Sequence, residues 1–207
     1  MAAGRQFSDL CRLGFTFLSI LLFFLFSCTV PRKYQPGKPF VFKTEIDIET
    51  PETLDGDQRH DLKQLLQYQL DDSLKVRTVL SFRLIPPFLY YRLNSPPVFD
   101  TVYITKSKNF MEALLHSKGY FNARIEDSYT IDSVKEQQRA NIEFTVKTDR
   151  VYRLDSIGIA LQTPGLQELA KKHQQEALLK KNDPYSMSVI SAEIDRLLTI
   201  FRNNGYY

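Results

Sequence analysis

The chain has few of the residues that build disulfides and metal sites. Its 207 residues include two cysteines and three histidines. The histidines are His60, His116 and His173, and none of them has a partner at the spacing of metal ligands. The sequence therefore predicts no metal site.

Catalytic motifs are also absent. The chain has no Gly-x-Ser-x-Gly sequence and no glycine-rich phosphate loop. Asp47, Asp71-Asp72 and Glu126-Asp127 are predicted at solvent-facing or turn positions, and nothing in the sequence pairs these carboxylates in a cleft. We predict that the protein is not an enzyme, has no catalytic residues and binds no cofactor.

The longest hydrophobic run is short. It covers residues 15–26 and follows Arg5 and Arg12. A membrane-spanning helix needs about 20 apolar residues, so this run is more typical of a secretory signal peptide. We predict a signal peptide over 1–27.

The run ends in Leu25-Phe26-Ser27-Cys28, which resembles the lipobox of bacterial lipoproteins. In that motif a small residue precedes a cysteine that is lipidated and becomes the new N-terminus. Two or three acyl chains on Cys28 would hold the protein stably on a membrane. Cleavage would also remove Cys11, so the mature chain would have no thiol for a disulfide. The alternative is that Cys28 is an incidental cysteine after an uncleaved anchor.

The charge of the mature chain is close to neutral. The whole chain has 27 basic and 24 acidic residues, and removal of 1–27 leaves 25 basic and 23 acidic ones, a formal charge of +2. Nucleic-acid binders concentrate Lys and Arg on one face. We therefore predict no nucleic-acid partner.

A repeat is the most informative pattern in the chain. Gly119-Tyr120-Phe121 recurs as Gly205-Tyr206-Tyr207 at an offset of 86 residues, and the same offset places Phe99-Asp100 over Tyr185-Ser186. Each copy predicts an aromatic residue, a helix N-cap, an amphipathic helix, a glycine C-cap and an aromatic strand start, with the aromatic pairs packed under their own helices. Two tandem copies of a small unit suggest an array used for interaction.

The first copy supplies a full set of elements. After a Pro-rich tether over 28–39, alternating residues predict a strand over 40–48, helices follow over 57–70 and 100–118, and alternation returns in two antiparallel strands between 121 and 147. The order strand, helix, helix, strand, strand predicts an α+β fold with helices on one face of a small sheet.

The second copy is shorter. We predict a strand around Leu154 and Ile159, a helix over 166–179 and a last helix opening at Ser186, and then the sequence stops before the last two strands. Aligning Ile46 with Ile157 gives an offset of 111, so the first copy has about 25 additional residues, around 73–95. We expect the chain to be part of a longer protein.

The additional residues include a stretch of mixed character. Residues 74–93 combine aromatic and aliphatic side chains with four basic residues and no acidic one. The stretch could lie at a membrane interface, where arginines meet phosphates and aromatic rings lie at headgroup level. It could also be an elaboration that folds over its own sheet.

Together these motifs resemble a known family. The lipobox, Lys33-Tyr34-Gln35-Pro36-Gly37, Pro96-Pro97-Val98-Phe99-Asp100 and Lys118-Gly119-Tyr120-Phe121-Asn122-Ala123 look like the N-terminal part of lipoprotein relatives of the BamA/TamA outer-membrane assembly proteins of Bacteroidota. The two helix-Gly-aromatic-aromatic phrases are hallmarks of polypeptide-transport-associated (POTRA) domains. The resemblance implies a first POTRA-like domain over 40–149, with an insertion at about 73–95, and an incomplete second one over 150–207.

The resemblance also implies a function and a place in the cell. The family carries periplasmic POTRA domains before a 16-stranded outer-membrane barrel and inserts or exports other outer-membrane proteins. The alternating strands of a barrel are absent from this sequence, so we expect a fragment that carries the soluble part only. It would be anchored to the outer membrane through Cys28, face the periplasm and bind unfolded outer-membrane protein clients.

A client segment could bind by adding a strand to an open sheet edge, which needs no particular client sequence. The candidate edge residues are Asn122, Arg124, Glu126 and Ser128. The alternative function is a cell-envelope lipoprotein scaffold that binds a periplasmic partner protein and has no barrel.

Overall fold

The structure is a computed structural model that describes residues 30–207 except 53 and 85–87. In this part of the chain helices and sheets are mixed, which confirms the predicted α+β class. The signal peptide over 1–27 and the lipidation site Cys28 lie outside the described residues, and the domain assignments 40–149 and 150–207 stay predictions. None of the described helices combines the length and hydrophobicity required to cross a bilayer.

The described residues form six strands, four α-helices and two 3₁₀ turns. The strands are β1 (Val30–Arg32), β2 (Phe40–Glu49), β3 (Thr78–Arg83), β4 (Phe88–Asn94), β5 (Arg124–Val134) and β6 (Gln137–Lys147). The helices are α1 (Gly56–Tyr68), α2 (Thr101–Ser117), α3 (Pro164–Lys172) and α4 (Met187–Asn203), and the turns are Asp72–Leu74 and Gln174–Glu176.

The strands form two sheets. The hairpin sheet has the order β1-β4-β3, and the central sheet has the order β2-β6-β5. The chain divides into two compact units that are each built from several segments. The smaller unit comprises the described residues up to 43 with 75–99 and 131–141, and the larger unit comprises 44–74, 100–130 and 142–207.

The hairpin sheet belongs to the smaller unit. β3 and β4 are antiparallel from Thr78↔Leu93 to Arg83↔Phe88, and β1 runs parallel to β4. The predicted tether over 28–39 thus contains a short strand. Pro31 is compatible with it because β1 lies at the edge of the sheet, where one side of the backbone needs no partner.

The central sheet is built around β6, whose residues from Ile142 onward belong to the larger unit. Side chains at alternate positions of β6 are buried, as expected for a strand with one face on a core. The predicted order is observed as β2, α1, α2, β5 and β6, with β3 and β4 between the two helices. The N–H of Thr148 donates to the carbonyl of Glu49 at 3.0 Å, so the C-terminal ends of β2 and β6 lie side by side. The main buried residues of the strands and helices are Ile46, Ile48, Ile142, Phe144, Val146, Leu62, Leu66, Ile104, Met111 and Leu115.

The starts of α1 and α2 are set by acidic caps. The side chain of Asp55 forms a capping box with Gln58 at the start of α1, and Asp100 accepts from the N–H of Val102 at 2.9 Å at the start of α2. Both helices begin within one residue of their predicted starts. A carboxylate at this position satisfies N–H groups that have no partner inside the helix.

An ion pair joins α2 to the first 3₁₀ turn. The ammonium of Lys106 lies 2.7 Å from the carboxylate of Asp71, and together with the N–H of Ser73 it lowers the pKa of Asp71 to about 2. The N–H of Asp71 also donates to the buried hydroxyl of Ser107 at 2.9 Å. The turn is therefore held to the helix by charge and by a hydrogen bond.

The repeat in the amino-acid sequence is accompanied by a repeat in the backbone hydrogen bonds. Both α2 and α4 have 17 residues and start 86 positions apart. After α2 the N–H of Tyr120 donates to the carbonyl of Leu115 at 2.9 Å, and after α4 the N–H of Tyr206 donates to that of Phe201 at 3.1 Å. The glycine before each aromatic residue has a positive φ, +87° and +83°. The two helices thus end in the same way.

The segments before the two helices also match. The N–H of Val41 donates to the carbonyl of Pro97, and that of Leu154 donates to Asp183, each at 2.9 Å. The donors are 113 residues apart and the acceptors 86. The first copy therefore has 27 additional residues, two more than the alignment of Ile46 with Ile157 indicates.

The second copy differs from its prediction in two elements. The strand predicted around Leu154 and Ile159 is wrong. Among the described residues this segment has one isolated bridge, between the preceding Arg153 and Pro184, and no ladder. The helix predicted over 166–179 ends at Lys172 and continues only as a 3₁₀ turn. A strand needs a neighbouring strand to satisfy its backbone groups, and composition cannot show whether that neighbour exists.

The two C-cap glycines form a matched pair for mutation. In Gly205→Ala the added methyl group meets open space, so we expect only the cost of a left-handed conformation, about 1–2 kcal/mol. In Gly119→Ala the same conformation is needed, and the methyl group would also lie 3.0 Å from the carbonyl oxygen and Cβ of Tyr185. We expect this variant to lose at least about 1 kcal/mol more free energy of unfolding, measured by urea denaturation. Equal losses would contradict close packing at Tyr185.

Candidate strand-pairing edge

β5 is the outermost strand of the central sheet. It has 11 residues, and all of their side chains are exposed except that of Ile125, which is half-buried. An edge strand carries a row of backbone N–H and C=O groups that point away from the sheet. β5 therefore offers outward-pointing backbone groups along 11 residues, about twice the usual length of a strand.

Three of the four predicted edge residues belong to this strand. Arg124, Glu126 and Ser128 lie in β5, and Asn122 lies in the turn before it. The amide of Asn122 donates to the carboxylate of Asp149 at 3.3 Å. The side chain of Asn122 thus contributes to the turn and not to the strand edge.

Side-chain contacts show how β5 faces β6. Glu126 accepts from Lys147 at 2.7 Å, and Asp132 accepts from Asn141 at 2.8 Å. The β6 number falls as the β5 number rises, so the strands are antiparallel. Lys147 and Asn141 alternate with the buried residues of β6, and hence this set of β5 side chains lies on the sheet face away from the core.

The other face of β5 is tied to a helix. The ammonium of Lys108 in α2 donates to the carboxylate of Asp127. The strand is therefore fixed on both faces, by Lys147 on one and by Lys108 on the other. A fixed edge requires little reorganisation before a further strand can pair with it.

An aromatic cluster fixes the start of β5. The ring centroid of Phe121 lies 5.4 Å from that of Tyr152 and 5.0 Å from that of Tyr185, both in edge-to-face geometry. The N–H of Tyr152 donates to the carbonyl of Gly119 at 2.9 Å.

The predicted packing of the aromatic pairs under their own helices is wrong for Tyr207, which is fully exposed.

A shallow polar cleft lies where β2 and β6 end and β5 begins. It has a volume of about 720 Å³ and includes Asn122, Arg124, Glu49, Lys147 and Asp149 in its lining. Carboxylates and cationic groups are mixed there, so neither sign dominates. Among the described residues no group of three or more His, Cys, Asp or Glu side chains could hold a metal ion.

The larger unit also contains an apolar groove that the sequence did not indicate. Its volume is about 880 Å³, and it lies between residues 155–161, α3 and α4. Leu197 and Phe201 lie in its floor, and Ile194 and Leu198 are more exposed. In the first copy the corresponding helices, α1 and α2, contribute buried residues to the core that also contains β6. In the second copy the surface between α3, α4 and residues 155–161 remains open as this groove.

One side chain holds the wall of this groove in place. The amide of Gln167 donates to the carbonyl of Ile159 at 3.0 Å, and its oxygen accepts from the N–H of Leu161 at 2.9 Å. A paired strand would satisfy the same two backbone groups. Gln167 therefore keeps this segment extended where the predicted strand has no ladder.

Comparison with known proteins gives one structural neighbour of note. The crystal structure of Haemophilus influenzae BamA POTRA3-5 is matched over 85% of this chain and 90% of that chain, with 12% identity and a TM-score of 0.27. A TM-score of 0.27 is too low to show a shared fold. No protein-family model matches the chain, and no curated protein matches it. The family resemblance stays a prediction from the motifs.

We predict that Gln167→Ala destabilises the protein by about 1–3 kcal/mol, because a partly buried carbonyl and a partly buried N–H lose their partner. Glu168→Ala, on the exposed side of α3, should change the free energy of unfolding by less than about 0.5 kcal/mol. Hydrogen exchange at the N–H of Leu161 should become faster only in the first variant. An unchanged exchange rate at the N–H of Leu161 in Gln167→Ala would contradict this role of Gln167.

Proposed function

We propose that the protein is a POTRA-type module of an outer-membrane protein assembly or translocation factor, and that it binds client polypeptides by strand addition to β5. The observation that carries this proposal is the exposed, 11-residue edge of the central sheet. The repeated helix-Gly-aromatic phrase supports the module type, since both copies end their helices with the same hydrogen bonds.

Backbone pairing suits a protein with many clients. A client in the extended conformation would receive hydrogen bonds from every second residue of β5, whatever its side chains. Each bond contributes about 0.5–1.5 kcal/mol net, and ordering the client offsets much of the sum. Binding would then be weak enough to release the client for assembly.

The two edge strands of the central sheet, β2 and β5, differ in how accessible their backbone groups are to a client. At β2, Phe40 forms a bridge with Val98, and the guanidinium of Arg59 donates to the carbonyl of Ile48 at 3.0 Å. Some backbone groups of β2 are therefore already engaged by neighbouring segments. β5 is the better edge for a client.

Proline substitution along β5 tests this proposal. In an antiparallel strand, alternate residues point their N–H toward the neighbouring strand or away from it. One set of alternate positions is Arg124, Glu126 and Ser128, and the other is Ile125 and Asp127. We expect proline in one set to unfold the sheet and proline in the other to leave it intact. Each proline of the tolerated set removes one outward donor and should weaken binding of a labelled outer-membrane protein peptide about fivefold, measured by fluorescence anisotropy.

Two controls sharpen the result. A scrambled peptide with the same alternation should bind with similar affinity, because the bonds are made by the backbone. Alanine at the tolerated positions should bind as the wild type does. A folded proline variant with unchanged affinity would contradict strand addition to β5.

A second candidate function is a cell-envelope scaffold that binds a partner protein through the apolar groove. The groove favours it because Ile194 and Leu198 expose apolar surface beside a ready-made floor. The same binding assay separates the candidates. Loss of binding in Ile194→Lys together with full binding in the β5 proline variants would favour the groove.

We further propose that the mature protein is tethered to the outer membrane by acyl chains on Cys28 and faces the periplasm. The basis is the lipobox resemblance of Leu25-Phe26-Ser27-Cys28. Growth with labelled palmitate should label the wild type and not Cys28→Ala, whereas Cys11→Ala should be labelled as the wild type is. Label that persists in Cys28→Ala would contradict the assignment.

A further inference from the structure

The segment that lines one side of the apolar groove runs straight. Residues 154–161 contain no helix, turn or bend. At the start of the segment, the carbonyl of Leu154 accepts from the N–H of Asn182 at 2.7 Å, and the N–H of Leu154 donates to the carbonyl of Asp183 at 2.9 Å. Both backbone groups of Leu154 therefore point toward the residues that precede α4.

The following residues alternate between two edges of this segment. In an extended chain the backbone groups of one residue point to one edge, and those of the next residue point to the other. Ile159 and Leu161 use the edge that the side chain of Gln167 occupies. The residues on the opposite edge, which Leu154 also uses, are Ser156, Gly158 and Ala160. We call these three residues the free edge.

The free edge has unpaired backbone groups beside the groove. In the described part of the chain, its three N–H groups and three carbonyls have no hydrogen-bond partner, and all three residues are exposed. Gly158 lines the groove although it has no side chain, so backbone atoms border the groove there. A methyl group added at Gly158 would meet open space. The free edge is therefore accessible to another backbone.

In the first copy, the two edges of β2 have different partners. The carbonyl of Ile48 accepts from the guanidinium of Arg59 in α1 at 3.0 Å, and that of Glu49 accepts from the N–H of Thr148, directly after β6, at 3.0 Å. One edge of β2 thus bonds a side chain of the following helix, and the other edge pairs with a strand. In the second copy Gln167 of α3 bonds one edge, and among the described residues no strand pairs with the other.

The groove beside the free edge favours apolar side chains. Ile194 and Leu198 in its lining are 52% and 42% exposed, next to a buried floor. A strand paired with the free edge would direct every second side chain toward this surface. An α-helix would leave the free edge unpaired, because it uses its own backbone groups internally. The site therefore fits an extended segment with apolar residues at alternate positions.

We propose that the free edge and the groove bind an extended segment of a partner polypeptide in which apolar and polar residues alternate. Hydrogen bonds to the free edge would supply affinity, and the groove would supply specificity. Pairing with β5 needs no particular client sequence, whereas pairing here requires the alternation. The inference rests on the second candidate function for the groove as a binding site, and it is independent of strand addition to β5.

Residue-resolved hydrogen exchange locates the pairing. The probe is a short peptide that alternates valine with threonine, added in excess to the full chain. We expect the N–H groups of Gly158 and Ala160 to exchange at least about tenfold more slowly with the peptide. The N–H of Ile157 should change little, because it points to the other edge. A peptide of the same composition with its valines side by side should protect the free edge less.

Binding of the labelled peptide, measured by fluorescence anisotropy, separates the two contributions. Ala160→Pro removes one N–H of the free edge and should weaken binding about fivefold, whereas Ala160→Ser should not. Leu198→Ser removes apolar contact and should weaken binding at least about threefold. Its control is Val189→Ser, since Val189 is 38% exposed on the same helix and does not line the groove.

A modified peptide repeats the backbone test without changing the protein. Methylation of alternate backbone nitrogens of the peptide removes one of its two sets of N–H donors. One methylated form should bind about fivefold more weakly than the other. This comparison applies even if Ala160→Pro does not fold.

Three outcomes would overturn the proposal. Binding that Leu198→Ser weakens, but that neither methylated form nor alternate protection accompanies, would leave the groove an apolar site without strand pairing. Protection confined to β5, with wild-type binding by Ala160→Pro, would support the proposed function and remove this site. Protection of Gly158 and Ala160 that grows with protein concentration in the absence of peptide would identify a second copy as the occupant.

Discussion

Pairing of β6 with a strand on each side is the interaction on which the central sheet depends. β6 is buried at alternate positions and stands between β2 and β5. Its buried apolar residues belong to the core, as do those of α1 and α2. Because β6 takes the central position, β5 is left at the edge. The candidate binding strand is thus a consequence of the order of the sheet.

In the second copy, none of the described residues forms such a strand. Its helices α3 and α4 and its extended segment are present, yet the segment forms no ladder, and Gln167 satisfies backbone groups that a strand would have satisfied. Ala170, Leu197 and Phe201 make a small core of their own, and the surface beyond it stays uncovered.

Local signals in the sequence predicted the helices of the first copy well. Asp100 and Gly119 mark the ends of α2 because capping depends on neighbouring residues only. The candidate residues Arg124, Glu126 and Ser128 could be predicted because alternation identifies a strand. The strand around Ile159 was wrong, and the groove was missed, because both depend on whether a partner strand lies alongside. The hairpin sheet was also not predicted, since β1 reaches it through residues more than 50 positions distant.

The side chains of β5 are consistent with reversible pairing. An exposed edge invites permanent association, and natural proteins reduce that risk with charged residues on the edge strand. β5 carries three acidic residues, Glu126, Asp127 and Asp132, and one basic residue, Arg124, so two paired copies of β5 would each bring a net charge of −2. The outward backbone groups of β5 are not affected by this charge and remain available for hydrogen bonds. This net charge disfavours pairing of β5 with its own copy, and in the proposed function it would leave the edge to clients.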